Sequence, residues 1–251
     1  MRPPKKEKLA FSVDWDEVSD RVSEKTKMII VNSPHNPTGS ILDKKDLDAL
    51  EQIVSKKNIF ILSDEVYEHI VFDHKKHLSL ASRPLLAEKT FVISSFGKTT
   101  HTTGWKIGYC CAPKEFTTEL RKVHQFVVFT VPAPFQHALA QYTQDKSTYL
   151  DLAEFYQLKR DKLLAGLNQT RFRAIPSPGT YFLLADYSQI SEKNESDFSI
   201  WLAQKHGVVV IPVSAFYAKP EEENSNHQLV RFCFAKKDTT LDEAIEKLMS
   251  V

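Results

Sequence analysis

The sequence predicts an α/β protein: a mainly parallel sheet in the first part, then a smaller α+β C-terminal domain, with the boundary near residue 145. Up to that point, short β-branched runs alternate with segments of helical period, as βαβ units do. Beyond it, long helices and strands follow one another without that alternation. Hydrophobic residues make up 42% of the 251 and charged residues 26%. That balance belongs to a chain that folds around a core and not to a disordered one.

The elements can be justified in order. Residues 27–34 (KMIIVNSP) are a short apolar run, as a strand buried on both faces should be. A turn follows at His35-Asn36-Pro37-Thr38-Gly39. Asp43 is a good N-cap for a helix whose apolar face is Leu47, Leu50, Ile53 and Val54. Residues 58–63 (NIFILS) read as the next strand, ending at Asp64-Glu65, and 90–94 (TFVIS) and 106–111 (KIGYCC) as two more. Helices are predicted over 114–128 and, after the breakers Pro132 and Pro134, over 133–144. In the second part a long helix is predicted over 149–167, strands over 171–175 and 180–185, and a helix over 197–206. Strands over 208–212 and 229–235 follow. A helix over 240–249, capped by Asp238 or Thr239, closes the chain. No internal repeat or low-complexity segment is visible.

The net charge is +1 with both signs interspersed, which excludes a nucleic-acid tract or a polybasic membrane patch. No apolar run spans a bilayer, and the first residues (MRPPKK) lead into no apolar stretch of a signal peptide. Three cysteines, Cys110, Cys111 and Cys233, in no CxxC spacing, argue against a disulfide framework or a zinc site. A cytoplasmic protein is expected.

In open α/β sheets, ligands bind at the carboxyl ends of the strands. Here three successive strand ends carry polar groups: Asn36 after the first, Asp64 and Tyr67 after the second, Ser95 and Lys98 after the third. Each alone has an ordinary reading, since Asn36 could be a turn residue, Asp64 a helix cap and Lys98 a solvated lysine. An amide, a carboxylate, a phenol, a hydroxyl and an amine on one rim make a site. His35, His69, His74 and His77 cluster in sequence but form no HxxxH pair on a helix face, so no metal is expected. Trp105, Phe126 and Phe129 read as packing residues. No GxGxxG occurs among the seven glycines, which disfavours a dinucleotide-binding domain.

The segments His35-Asn36-Pro37-Thr38-Gly39, Ser63-Asp64-Glu65-Val66-Tyr67 and Ser94-Ser95-Phe96-Gly97-Lys98-Thr99, followed by Gly104-Trp105-Lys106-Ile107-Gly108-Tyr109, resemble the class I/II, fold-type-I aminotransferases. Pro178-Gly179-Thr180-Tyr181-Phe182 and Val230-Arg231-Phe232-Cys233-Phe234-Ala235 match as well. The order is that of the family, and the form is most similar to the kynurenine, glutamine and methionine aminotransferases.

The resemblance implies an incomplete fold-type-I large domain over residues 1–145, a small C-terminal domain over 146–251, and pyridoxal 5′-phosphate as cofactor. The implied activity moves an amino group between an L-amino acid (methionine, glutamine, kynurenine or aromatic type) and a 2-oxo acid. The cofactor acts as an electron sink. Lys98 would hold it as a Schiff base and then shuttle a proton. An amine does both jobs only where its surroundings keep a useful fraction neutral. Asp64 would sit against the pyridine nitrogen and keep it protonated. Tyr67 and Asn36 would bond the ring oxygen, and Ser95 and Lys106 the phosphate. Arg231 would clamp the substrate carboxylate with its planar fork, with Asn36 touching the same group.

A homodimer is implied, with no nucleic-acid or membrane partner. Two alternatives stay open: a cysteine-S-conjugate β-lyase on the same scaffold, and a non-catalytic remnant. Lys106 stands where many members have arginine, and Thr100 where relatives often have an aromatic ring. Family chains run longer at the N-terminus, and residues 2–15 resemble an interior stretch of them. The expectation is therefore of a chain missing a phosphate-binding loop, with an open edge beside the 106–111 strand.

Overall fold

The computed structural model describes residues 10–218 and 226–251. Residues 2–9 of the 2–15 segment lie outside the described residues. The chain divides into two compact units. One comprises Val13–Pro34 and Ile41–Ala153. The other comprises, among the described residues, 10–12, His35–Ser40, 154–218 and 226–251.

The first unit is built on a four-stranded sheet in the order β1-β2-β3-β4, formed by Met28–Asn32, Phe60–Asp64, Thr90–Ser95 and Gly108–Cys111. β1, β2 and β3 run parallel, and their ends lie level: Asn32 is opposite Asp64, and Asp64 opposite Ile93. β4 returns antiparallel, with Gly108 opposite Ser95. A Cβ on Gly108 would come within 2.5 Å of the Ser94 carbonyl oxygen, so only glycine fits this approach.

α1 (Trp15–Arg21) is a helix that sequence patterning did not predict. The Asp14 carboxylate caps it by accepting from the Glu17 amide at 3.0 Å. α2 (Lys44–Ser55) begins where predicted. The Asp43 carboxylate accepts from the amides of Lys45 and Asp46, while Asp46 accepts from the Asp43 amide at 2.8 Å. Leu47, Leu50 and Val54 fall on one helical face and join Ile59, Ile61, Leu80 and Leu86 in the core of this unit. One sheet face therefore packs on α2. The opposite face carries Asp64 and Ile30, which is 70% exposed.

α3 (Pro84–Ala87) and α4 (Phe96–Thr99) are single turns. α5 (Lys114–Val127) rests on β2 and β3 through Phe116, 5.1 Å from the Phe60 ring and 5.0 Å from the Phe91 ring. α5 buries no residue among the described ones, and Phe126 and Phe129 are 85% and 82% exposed. The expectation that these two pack is corrected: they continue an apolar stripe that nothing in the described chain covers. Trp105 does pack, stacked on Phe135 of α6 (Ala133–Tyr142) at 4.6 Å. The predicted long helix is broken at Asp151 into α7 (Ser147–Leu150) and α8 (Leu152–Leu167).

The second unit holds an antiparallel sheet in the order β5-β6-β8-β7, from Arg173–Ile175, Phe182–Asp186, Leu229–Cys233 and Ile211–Pro212. β6 and β8 are its buried centre, and the side chains of Leu183, Leu184, Ala185 and Val230 are almost wholly enclosed. α9 (Glu195–His206) starts two residues earlier than predicted, because Asn194 caps it by accepting from the Asp197 amide at 2.9 Å. α10 (Asp238–Leu248) also starts earlier. Lys237 stands at its N-cap with no side-chain bond, so neither Asp238 nor Thr239 is the cap.

Candidate cofactor and substrate site

Strand pairing brings Asp64 and Ser95 to the same face and the same end of β2 and β3. Asp64 is opposite Ile93 in the pairing, and Ser95 lies one pleat further on. The Asp64 carboxylate accepts from the Val66 amide at 3.2 Å, which turns the chain sharply after the strand. Burial pushes this carboxyl up from its ordinary value and the charge of Glu65 adds to the rise, against the Val66 amide. Tyr67 follows on the same turn and is 4% exposed.

The end of β3 and the loop to β4 carry Ser95, Lys98 and Lys106. The Ser95 hydroxyl caps α4 by accepting from the Gly97 amide at 3.2 Å, which sets Lys98 on the single turn that follows. The Phe96 amide donates to the Ile107 carbonyl at 3.1 Å and closes the loop. Lys106 stands at its far end in the left-handed region, φ 58°, so the strand begins at Gly108 and not at Lys106 as predicted. Thr100, where an aromatic ring was expected, bonds the Phe96 carbonyl at 2.9 Å and the Thr102 hydroxyl at 2.8 Å. Local hydrogen bonds there replace ring packing.

Asn36 and Arg231 belong to the other unit, and they meet. Arg231 Nη1 donates to Asn36 Oδ1 at 2.5 Å. The guanidinium lies over the Phe182 ring at 3.9 Å and the Phe216 ring at 4.9 Å. The two rings hold its plane while leaving the donors at its edge directional. Phe182 falls in the Pro178–Phe182 motif, and no signal in the sequence marks Phe216. Asn36 is held by its turn. The His35 amide donates to the Ser40 carbonyl at 2.8 Å and the Gly39 amide to the His35 carbonyl at 2.7 Å. Gly39 has φ +71°, and a Cβ there would lie 2.0 Å from Ser177 Oγ. His35 bonds Thr38 Oγ1 through Nδ1 at 2.8 Å, and burial lowers its pKa to about 4, so the ring is neutral near pH 7. A cavity of about 190 Å³ opens beside this turn, lined in part by Phe11, Asn36, Val213, Phe216 and Tyr217.

The sequence pattern of the family described as aminotransferase class I and II matches residues 4–248. The chain belongs to that family. Methionine aminotransferase of Escherichia coli (strain K12) is 47% identical over 239 residues, covering 95% of this chain and 61% of the relative. Kynurenine–oxoglutarate transaminase 1 of Mus musculus is 32% identical, covering 100% and 64%. The solved structure of an E. coli protein with a methionine aminotransferase function superimposes with TM-score 0.93 at 45% identity, over 100% of this chain and 63% of that one. N-succinyldiaminopimelate aminotransferase from Mycobacterium tuberculosis gives 0.89 at 42%, over 96% and 62%. The fold is the fold-type-I aminotransferase α/β fold. The chain spans about three fifths of the length of these relatives.

Members of the family use pyridoxal 5′-phosphate. The residues present fit it. Asp64 is a half-buried carboxylate whose charge burial disfavours, and a pyridinium against it would offset that cost. The 95–107 loop offers a hydroxyl and two amines to a phosphate and a carbonyl.

Proposed function

We propose that this chain is the pyridoxal-phosphate-binding and substrate-carboxylate-binding part of an aminotransferase. The reaction would move an amino group between an L-amino acid of methionine, glutamine, kynurenine or aromatic type and a 2-oxo acid. The observation that carries the proposal is the placement of Asp64, Ser95, Lys98 and Lys106 at one end of β2 and β3, in a chain of this family. The relatives include proteins named for methionine and kynurenine, which supports the substrate class.

When bound, the cofactor supplies an electron sink for the substrate's α-carbon. The remaining work falls to side chains. Asp64 keeps the ring nitrogen protonated through its negative charge. Tyr67 and Asn36 donate to the ring oxygen. Ser95 and Lys106 bind the phosphate, the lysine as a point charge where an arginine would offer a fork. Lys98 would hold the cofactor covalently, and its amine would then take the proton from the substrate's α-carbon. Arg231, its plane set by Phe182 and Phe216, would take the substrate carboxylate with its planar fork.

We also propose the division near residue 145 as the functional one, a homodimeric assembly that would cover the apolar stripe of α5, and a cytoplasmic location. Among the described residues no helix is long and apolar enough to cross a membrane. The test is to incubate the protein with pyridoxal phosphate, methionine or kynurenine, and a 2-oxo acid, and to follow both products by chromatography. Formation of the exchanged amino acid and keto acid in equal amounts supports the reading. Pyruvate and ammonia from a cysteine S-conjugate without exchange would replace it with a lyase.

A further inference from the structure

Directly behind Asp64, on the other face of β2, lies a buried polar cluster to which the reaction above assigns nothing. Side chains alternate along a strand, so Ser63 and Glu65 project from the face that packs on α2 while Asp64 projects from the opposite one. Glu65 is 2% exposed. Its Oε1 accepts from the Ser63 hydroxyl at 2.8 Å, the Ser79 hydroxyl at 3.1 Å and the Leu80 amide at 3.1 Å. Its Oε2 accepts from His77 Nε2 at 2.8 Å, and the His77 side chain is 10% exposed. Burial on its own would raise this carboxyl, but the hydrogen bonds from His77, Ser63 and Ser79 and the charge of His77 outweigh it and hold the group below its ordinary value.

The main chain of Glu65 is fixed as well. Its amide donates to the Ile93 carbonyl at 2.9 Å, and its carbonyl accepts from the Glu68 amide at 2.9 Å. Glu65 is thus the point at which the turn carrying Asp64 and Tyr67 is fastened to both β3 and the 77–80 segment. We propose that Glu65 and His77 are a positioning pair: their buried contact pins the 64–68 turn and fixes the directions in which Asp64 and Tyr67 present their side chains. The inference rests on the cofactor role proposed for Asp64.

The pairing demands a carboxylate, and the reason is one of donors and acceptors. His77 Nδ1 has no hydrogen-bond partner among the described residues, so the ring is held by Nε2 alone. Glu65→Gln keeps the shape, but one end of the side chain becomes an NH2. With the amide oxygen serving Ser63, Ser79 and Leu80, that NH2 faces the Nε2–H, donor against donor. In a neutral ring, moving the proton to Nδ1 would bury an unpaired N–H instead. His77→Gln supplies a new N–H to the Glu65 carboxylate, whereas His77→Phe fills the space and supplies none.

The 251-residue chain and the three variants are compared by hydrogen exchange over residues 60–70, with α2 as internal control, and by titration with pyridoxal phosphate. Glu65→Gln and His77→Phe are expected to speed exchange at Val66, Glu68 and Ile70 by about tenfold relative to α2, and to weaken cofactor binding by about tenfold. His77→Gln is expected to restore both, which a loss of packing alone would not allow. Wild-type exchange in Glu65→Gln and His77→Phe would overturn the pair. So would faster exchange with unchanged cofactor affinity, since the pinned turn would then have no bearing on Asp64. If the unmutated chain takes up no cofactor, the proposed function fails, and the exchange comparison still decides whether the pair pins the turn.

Discussion

Gly39 carries a constraint whose size follows from the geometry. It sits at φ +71°, where an L side chain costs about 1–2 kcal/mol. A Cβ there would meet Ser177 Oγ at 2.0 Å and the Gly179 carbonyl oxygen at 2.9 Å. Ser177 cannot step aside: it is 1% exposed, its hydroxyl donates to the Gly179 carbonyl at 2.7 Å, and its own carbonyl accepts from Arg160 Nη1 at 3.1 Å. Relieving such a clash costs about 1–3 kcal/mol, so Gly39→Ala should destabilise its unit by about 2–5 kcal/mol in all. Ser177→Gly removes the hydroxyl. In that background the alanine should cost only about 1–2 kcal/mol plus what the Gly179 carbonyl resists. The double-mutant cycle should therefore show a coupling of about 1–3 kcal/mol. Denaturant-dependent hydrogen exchange of peptides from β6 and β8 reads this unit without the other. A Gly39→Ala protein within about 0.5 kcal/mol of wild type, or no recovery in the Ser177→Gly background, would refute the reasoning. It would also remove the account of how the Asn36 turn is held.

Further outcomes follow from the same geometry. Asp64→Asn keeps the shape and loses the charge, so turnover should fall by about a hundredfold or more with weaker cofactor binding, measured by steady-state kinetics and titration; unchanged turnover would mean that the ring nitrogen has another partner. Arg231→Lys keeps the charge but loses the fork that lies over the Phe182 and Phe216 rings, so kcat/KM should drop by about 10- to 100-fold with little change in cofactor affinity. Equal activity on amino acids and the corresponding amines would dismiss the clamp. In acid, Glu65 and Asp64 act with opposite signs. The Glu65 carboxyl is depressed in the folded state, so its contribution is present above its ordinary 4.5 and is lost as pH falls through the lower folded value. Asp64 is raised, so its neutral form favours the fold and its contribution is lost as pH rises. Glu65→Gln should flatten the acid limb of a stability-against-pH curve, and Asp64→Asn should steepen it; the reverse pattern would show that the signs are misassigned.

Where local chemistry decides the structure, the sequence was readable. α2 shows this most plainly, because Asp43, Asp46 and the Leu47, Leu50, Val54 spacing set its cap and buried face within a dozen residues. The first three strands were legible from their apolar runs, and with them the rim on which Asp64, Ser95 and Lys98 stand. Features that depend on distant partners were not legible. Lys106 looked like strand, but closure of the 96–107 loop through Ile107 places it in the left-handed region. Thr180 looked like strand too, yet stands at φ 63° just before β6. α1 is only seven residues long, so its local signals, the Asp14 cap, the acidic first turn and Trp15, Val18 and Val22 at helical spacing, fill too short a window to stand out. Phe126 and Phe129 are apolar, and apolarity alone cannot say whether a covering surface is present. Glu65 was legible as part of a motif, but its partner His77 comes twelve residues later across a loop, and only the folded chain brings them to 2.8 Å.

The central claim is that Lys98 holds the cofactor, and covalent mapping tests it most directly. The protein is mixed with pyridoxal phosphate, reduced with borohydride, digested, and the pyridoxyl-lysine located by mass spectrometry. The account predicts one dominant adduct on Lys98, in the peptide that begins after β3, and its loss in Lys98→Ala. An adduct dominant on another lysine, or spread evenly over the surface lysines and unaffected by Lys98→Ala, would contradict it.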